Sequence, residues 1–66
     1  MTEYYYIYTI QQAINVAQQV LEYTFDDDEI YDLRENHEVI IYDDDGYEEL
    51  AYVWYDSDNH KITISM

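Results

Sequence analysis

The chain contains no cysteine, no proline and one glycine, Gly46, and among its 66 residues only Arg34 and Lys61 are reliably cationic. Each shortage excludes something. Without cysteine there is no disulfide framework and no thiolate zinc site. A chain this short, near the lower limit of folding without such staples, must be held by apolar burial, self-association or a partner. Two cationic side chains cannot neutralise a phosphate backbone, which excludes direct DNA or RNA binding. Long hydrophobic runs are missing too, so no segment reaches membrane-spanning length. The stretch Met1-Thr2-Glu3-Tyr4 has neither the basic nor the apolar region of a signal peptide. The expected address is the cytoplasm.

Acids and tyrosines dominate what remains. Sixteen Asp and Glu set the net charge at −14, and ten Tyr, one Trp and one Phe belong to a hydrophobic fraction of 48%. High net charge is part of the disorder signature. Here, however, the apolar residues fall in periodic runs with the acids gathered between them, which predicts one folded domain over residues 1–66. Its charge would be repelled by anionic membranes as well as by nucleic acid.

Ile10, Ala13, Ile14, Ala17, Val20 and Leu21 recur at helical spacing, with Gln11, Asn15, Gln18, Gln19 and Glu22 mostly on the other side. Thr9 and Gln12 have the spacing of a capping box, so a helix is predicted from about Ile10 to Tyr23. Asp26-Asp27-Asp28-Glu29 suits the first turn of a short second helix or turn, because unpaired N–H groups there favour negative charge. Strands are predicted at His37–Tyr42, Tyr47–Tyr55 and His60–Ser65, joined by loops at Asp43–Gly46 and Asp56–Asn59. In the middle strand Leu50, Tyr52 and Trp54 share one face, and Ala51, Val53 and Tyr55 the other. The segment Tyr4–Tyr8 has the aromatic bias of an edge strand, with a helix from Thr2 as the alternative. The predicted fold is α+β: an antiparallel sheet of three or four strands with the long helix packed on one face.

The Asp-rich loops do not make calcium sites. An EF-hand loop needs an oxygen ligand first, Gly sixth and Glu twelfth. Aligning Gly46 to the sixth position puts Ile41 first and Tyr52 twelfth, and the second loop offers Lys61 in place of the glycine. Good turn formation explains these residues without a metal. Catalysis has no better footing. His37 and His60 each stand at a predicted strand start, and Ser57 and Ser65 lack the base and oxyanion donors of a nucleophile. No catalytic residue, metal ligand or cofactor is expected.

The carboxylates themselves are the remaining feature. Solubility asks for a net charge of magnitude about 2–8 in a small domain, and −14 exceeds it at the expense of self-repulsion. A domain of this length has a radius of gyration of about 11 Å and a diameter near ~28 Å. Duplex DNA carries about 16 charges over that length, so the chain matches DNA in charge per unit length. Alternate residues on a strand stand ~6.6–6.8 Å apart on one face and can form rows of carboxylates. Ten tyrosines exceed what one small core holds. About half are expected in the core and the rest beside the acids, where a ring face and a hydroxyl suit Arg and Lys. The candidate contact residues are Asp43, Asp44, Asp45, Glu48 and Glu49, then Asp26, Asp27, Asp28, Glu29 and Asp32, then Asp56 and Asp58.

With these clusters and no cysteine, the chain resembles the acidic DNA-mimic inhibitors carried by phages and other mobile elements. That group includes anti-CRISPR proteins and inhibitors of uracil-DNA glycosylase and of restriction enzymes. The resemblance spans the whole chain and is one of composition, without a shared motif. Length and the mixed pattern look most like a small anti-CRISPR protein, which implies occupation of a nucleic-acid groove in a host enzyme or a CRISPR surveillance complex, type I among them. The implied partner is a basic nucleic-acid-binding protein, met in the host cytoplasm by a monomer or homodimer. The alternative is an acidic regulatory module for a basic protein that does not compete with nucleic acid.

Overall fold

In a computed structural model describing Met1 to Met66, helix α1 (Ile10–Leu21) begins where Thr9 accepts the backbone N–H of Gln12 at 3.1 Å. The reciprocal half of the expected capping box is displaced by one residue. Gln12 Oε1 accepts from the N–H of Tyr8 at 2.7 Å, rather than from that of Thr9. The helix ends two residues before the expected Tyr23, because Glu22 adopts a left-handed conformation (φ 52°) and folds its N–H back on the carbonyl of Gln19. With one glycine in the chain, ordinary residues must fill such C-terminal positions. His37 (φ 61°) does the same for helix α2 (Asp27–Asn36).

The second helix is a full ten residues, beyond the short helix or turn expected. A reciprocal capping box starts it: Asp26 accepts the N–H of Glu29 at 2.8 Å, and Glu29 accepts the N–H of Asp26 at 2.9 Å. Asp27, Asp28 and Glu29 occupy its first turn and Arg34 its last, the order that the helix dipole favours.

Four antiparallel strands make one sheet: β1 (Thr2–Tyr6), β2 (Glu38–Tyr42), β3 (Glu49–Asp56) and β4 (Lys61–Ser65), in the order β1-β4-β3-β2. The N-terminal segment is the edge strand, paired to β4. It lies two residues earlier than Tyr4–Tyr8 and ends at Tyr6; Ile7, on the core side by alternation, is buried and donates its N–H to the carbonyl of His60 at 2.8 Å, the next pair along the β1–β4 register. His37, Tyr47, Glu48 and His60 likewise fall just outside the strands expected to include them.

Both helices cover one face of the sheet. Val39, Ile41, Ala51, Val53, Tyr55, Ile62 and Ile64 point into that layer and meet Ile7, Ala13, Ile14, Ala17, Phe25 and Leu33. The alternation along β3 is the one the sequence predicts, with Ala51, Val53 and Tyr55 buried and Leu50 and Trp54 exposed. Tyr55 is the only tyrosine in the core; Tyr23 and Tyr52 are half-buried. Far fewer rings are inside than the expected half. Ala13 and Ala17 are fully buried, so α1 lies close to the sheet, and the narrow layer between them suits Ile and Val better than phenols. No polar or charged residue is buried.

Candidate functional site: an acidic pole

Chain direction concentrates the acids. The strands are antiparallel and the helices run back along them, so the exit of α1, the start of α2 and the β2–β3 hairpin lie at one end of the domain. That end carries Glu22, Asp26 to Glu29, Asp43 to Asp45, Glu48 and Glu49, with no lysine, arginine or histidine among them.

The hairpin tip is built around Asp43. Its carbonyl accepts the N–H of Gly46 at 2.9 Å, and its side chain accepts those of Tyr47 at 3.1 Å and Glu48 at 3.4 Å. The turn closes on Gly46 (φ 76°), a conformation that suits glycine. Asp43 is therefore held inside the loop, while Asp44, Asp45, Glu48 and Glu49 stand exposed around it.

The α2 end is organised by Tyr23. Its hydroxyl donates to Glu29, 2.9 Å from each carboxylate oxygen. The bond to Glu29 pushes the phenol pKa up to about 12, helped by burial and by the negative fields of Glu29, Asp26 and Asp44. Asp44 belongs to the hairpin and Asp26 to the helix cap. Chain direction brings these two Asp-rich segments, separate in sequence, to the same end of the domain, and both add to the upward shift of Tyr23.

The predicted contact residues thus divide. Asp26, Glu29 and Asp43 hold local structure, and Asp27, Asp28, Asp44, Asp45, Glu48 and Glu49 are exposed at the pole. Asp32 lies one turn further along α2, in a shallow groove of about 340 Å³ shared with Asn36, Glu38, Ile40 and Tyr42. Asp56, expected in the loop but the last residue of β3, and Asp58, in the β3–β4 turn, are at the opposite end and are not brought to the others. There Asp56 is tied down by the side-chain amide of Asn59 at 2.7 Å and by the N–H groups of Asn59 and Asp58. Those bonds, the Asn59 amide foremost, hold its carboxyl below the usual range, with Lys61 contributing and desolvation opposing.

Two members of the pole escaped the sequence reading. Glu22 looked like one more polar helix residue, and Tyr23 like the last residue of α1. The Asp26–Glu29 spacing is itself a capping-box signal and could have marked those acids as structural. The cations are elsewhere: Arg34 donates to Gln11, and the Lys61 ammonium lies 5.1 Å from the centre of the Tyr4 ring. No three His, Asp or Glu side chains converge as a metal site, and no helix is long and apolar enough to cross a membrane. Comparison with known protein families, curated proteins and solved structures finds no match to this chain, so its functional reading rests on this geometry.

Proposed function

We propose that this protein is an acidic DNA mimic that occupies the nucleic-acid groove of a cytoplasmic host enzyme or CRISPR surveillance complex and blocks it sterically and electrostatically. The observation that carries this reading is the placement of two Asp-rich segments, the start of α2 and the β2–β3 hairpin, at one end of the domain without a lysine, arginine or histidine among them. Duplex DNA carries about 19 charges over 33 Å, the long dimension of this domain, which bears a net charge of −14. A groove lined with Lys and Arg meets a field of similar density in either case. The backbone that carries the exposed carboxylates is fixed by a capping box and a closed hairpin, so little main-chain ordering remains to oppose binding. The protein acts by occupation and performs no chemistry.

Capture of partners from a host lysate on the immobilised chain, at low and at moderate salt, tests this directly. The expected product is a nucleic-acid-binding protein or complex that elutes as salt rises and that loses its DNA or RNA when the chain is added. Simultaneous binding of the chain and of nucleic acid to that partner would sink the mimic reading and leave a regulatory module for a basic protein.

A further inference from the structure

The helices cover one face of the sheet and leave the other bare. On that bare face the register aligns Tyr4, Thr63, Trp54 and Glu38 in one row, with Tyr6, Lys61 and Asp56 on one side of it. Ser65, Tyr52 and Ile40 lie on the other side, towards Tyr42 and Leu50. Tyr4, Tyr6, Tyr42 and Trp54 are 57%, 74%, 47% and 45% exposed. An aromatic side chain carries roughly 150–250 Å² of surface, so these four rings alone leave about 350–550 Å² open. Ile40 and Leu50 extend the patch. Largest patches on monomers run to about 300–600 Å². With its hydroxyl-bearing rim this face approaches the ~800 Å² that each partner gives to a standard interface.

The face also displays little unengaged charge. Its two carboxylates are already engaged, Glu38 by the Tyr52 hydroxyl at 2.6 Å and Asp56 by its own turn. Its lysine rests over Tyr4. A cationic partner is drawn to the pole and finds little charge here. An aromatic-rich surface of this size, with its charges engaged within the chain, fits a second copy of the same chain.

We infer that the protein forms a two-fold dimer by packing these bare sheet faces together around Trp54. Of the two ways to superpose the faces, the axis running across the strands sets the acidic poles at opposite ends and so separates the charge. The other axis, along the strands, brings the poles together. The dimer is a short two-layer sandwich inside, with helices outside and an acidic pole at each end. This inference does not depend on what the poles bind.

Sedimentation velocity of the full chain, from micromolar to near-millimolar concentration, tests it. A concentration-dependent dimer is expected, with its dissociation constant falling at least about ten-fold between about 0.05 and 0.5 M sodium chloride, as repulsion between like-charged copies is screened. Capture of a basic partner has the opposite salt dependence, which separates the two proposals. The double variant Trp54→Thr, Leu50→Thr keeps strand propensity and should dimerise at least about ten-fold more weakly, since buried aromatics dominate such interfaces. A chain that stays monomeric at every salt, or a folded variant that dimerises like the parent, overturns the inference. Trp54 is the only tryptophan, so acrylamide quenching of the parent reads the face without any variant. Protection at high concentration that disappears on dilution is expected, and quenching indifferent to concentration refutes the interface.

Discussion

One carboxylate, that of Glu29, receives both the Tyr23 hydroxyl at 2.9 Å and the Asp26 N–H at 2.9 Å, and so fastens the exit of α1 to the start of α2. Two acids of the pole are thereby committed to holding it in shape. The neighbouring carboxylates are exposed, so the same short segment contains both the frame and the charge it displays.

The phenol of Tyr23 gives this frame an alkaline signature. Its folded pKa of about 12 lies above the ordinary 10.0, so the folded state holds that proton more tightly than the unfolded chain. The contribution is complete below pH 10 and is lost as pH rises through 12. Tyr5 on Glu3 and Tyr52 on Glu38 are raised for the same reason, a hydroxyl donated to a carboxylate, and add to the same trend. Tyr23→Phe should lower stability at pH 7 by about 1.5 kcal/mol, the lower end for a hydrogen bond to a charged group. Melting followed from pH 8 upward checks both effects. The variant should lose less stability than the parent across the alkaline range, and an identical loss would show that the Tyr23 bond does not form.

Glu22 is a second place where the fold accepts a local penalty. It sits at a left-handed C-cap without being glycine, and it adds negative charge where the helix dipole is already negative. Glu22→Gly should therefore stabilise by about 1 kcal/mol, raising the melting temperature by roughly 4–8 °C in a domain of this size. An unchanged or lower melting temperature would mean that the Glu22 side chain has a stabilising contact worth as much as the strain.

Salt should firm the fold as a whole. Raising sodium chloride from 0.1 to 1 M shortens the Debye length from ~10 to ~3 Å, which screens carboxylates crowded at one end of the folded domain more than those spread along the unfolded chain. The melting temperature should rise through this range at a concentration where the protein is monomeric. A flat or falling profile would show that the acidic pole imposes no strain on the native state.

Much of this arrangement could be read from the residues because local signals and burial agree. The α1 stripe from Ile10 to Leu21 and the in–out alternation of β3 each follow from one period and one core face. Strand ends were less legible. Where β1 ends depends on how far its pairing with β4 runs, and the last bond, from Ile7 to His60, reaches a residue more than fifty positions away. The burial of tyrosine is not legible in composition for a similar reason. The thickness of the layer under α1 is set by Ala13 and Ala17 together with the strands they face, which composition does not express. The acidic segments were visible in sequence, but their meeting at one end follows from strand order, and so does the distance of Asp56 and Asp58 from them.

The hairpin should matter more for binding than the helix start. Asp43 is turned inward by Tyr47 and Glu48, which leaves Asp44, Asp45 and Glu48 as the projecting acids of a closed tip. A tip can enter a groove, and its backbone is closed by the bonds of Asp43 N–H to the Glu48 carbonyl and of Gly46 N–H to the Asp43 carbonyl at the end of the β2–β3 ladder. At the helix start Asp26 is occupied as the N-cap, a task that Asn performs about as well. The variant Asp26→Asn, Asp28→Asn should therefore keep its fold and lose little affinity for the partner recovered by capture. The variant Asp44→Lys, Glu48→Lys reverses charge at the tip while leaving Asp43 and Gly46 to close the turn. Each desolvated charge pair it breaks should be worth about 2 kcal/mol or more, so the pair together should weaken binding by well over a hundred-fold. Affinity and melting temperature measured for both variants separate the cases. A folded Asp44/Glu48 variant that binds like the parent would remove the hairpin from the contact surface, and a larger loss in the Asp26/Asp28 variant would move that surface to the start of α2.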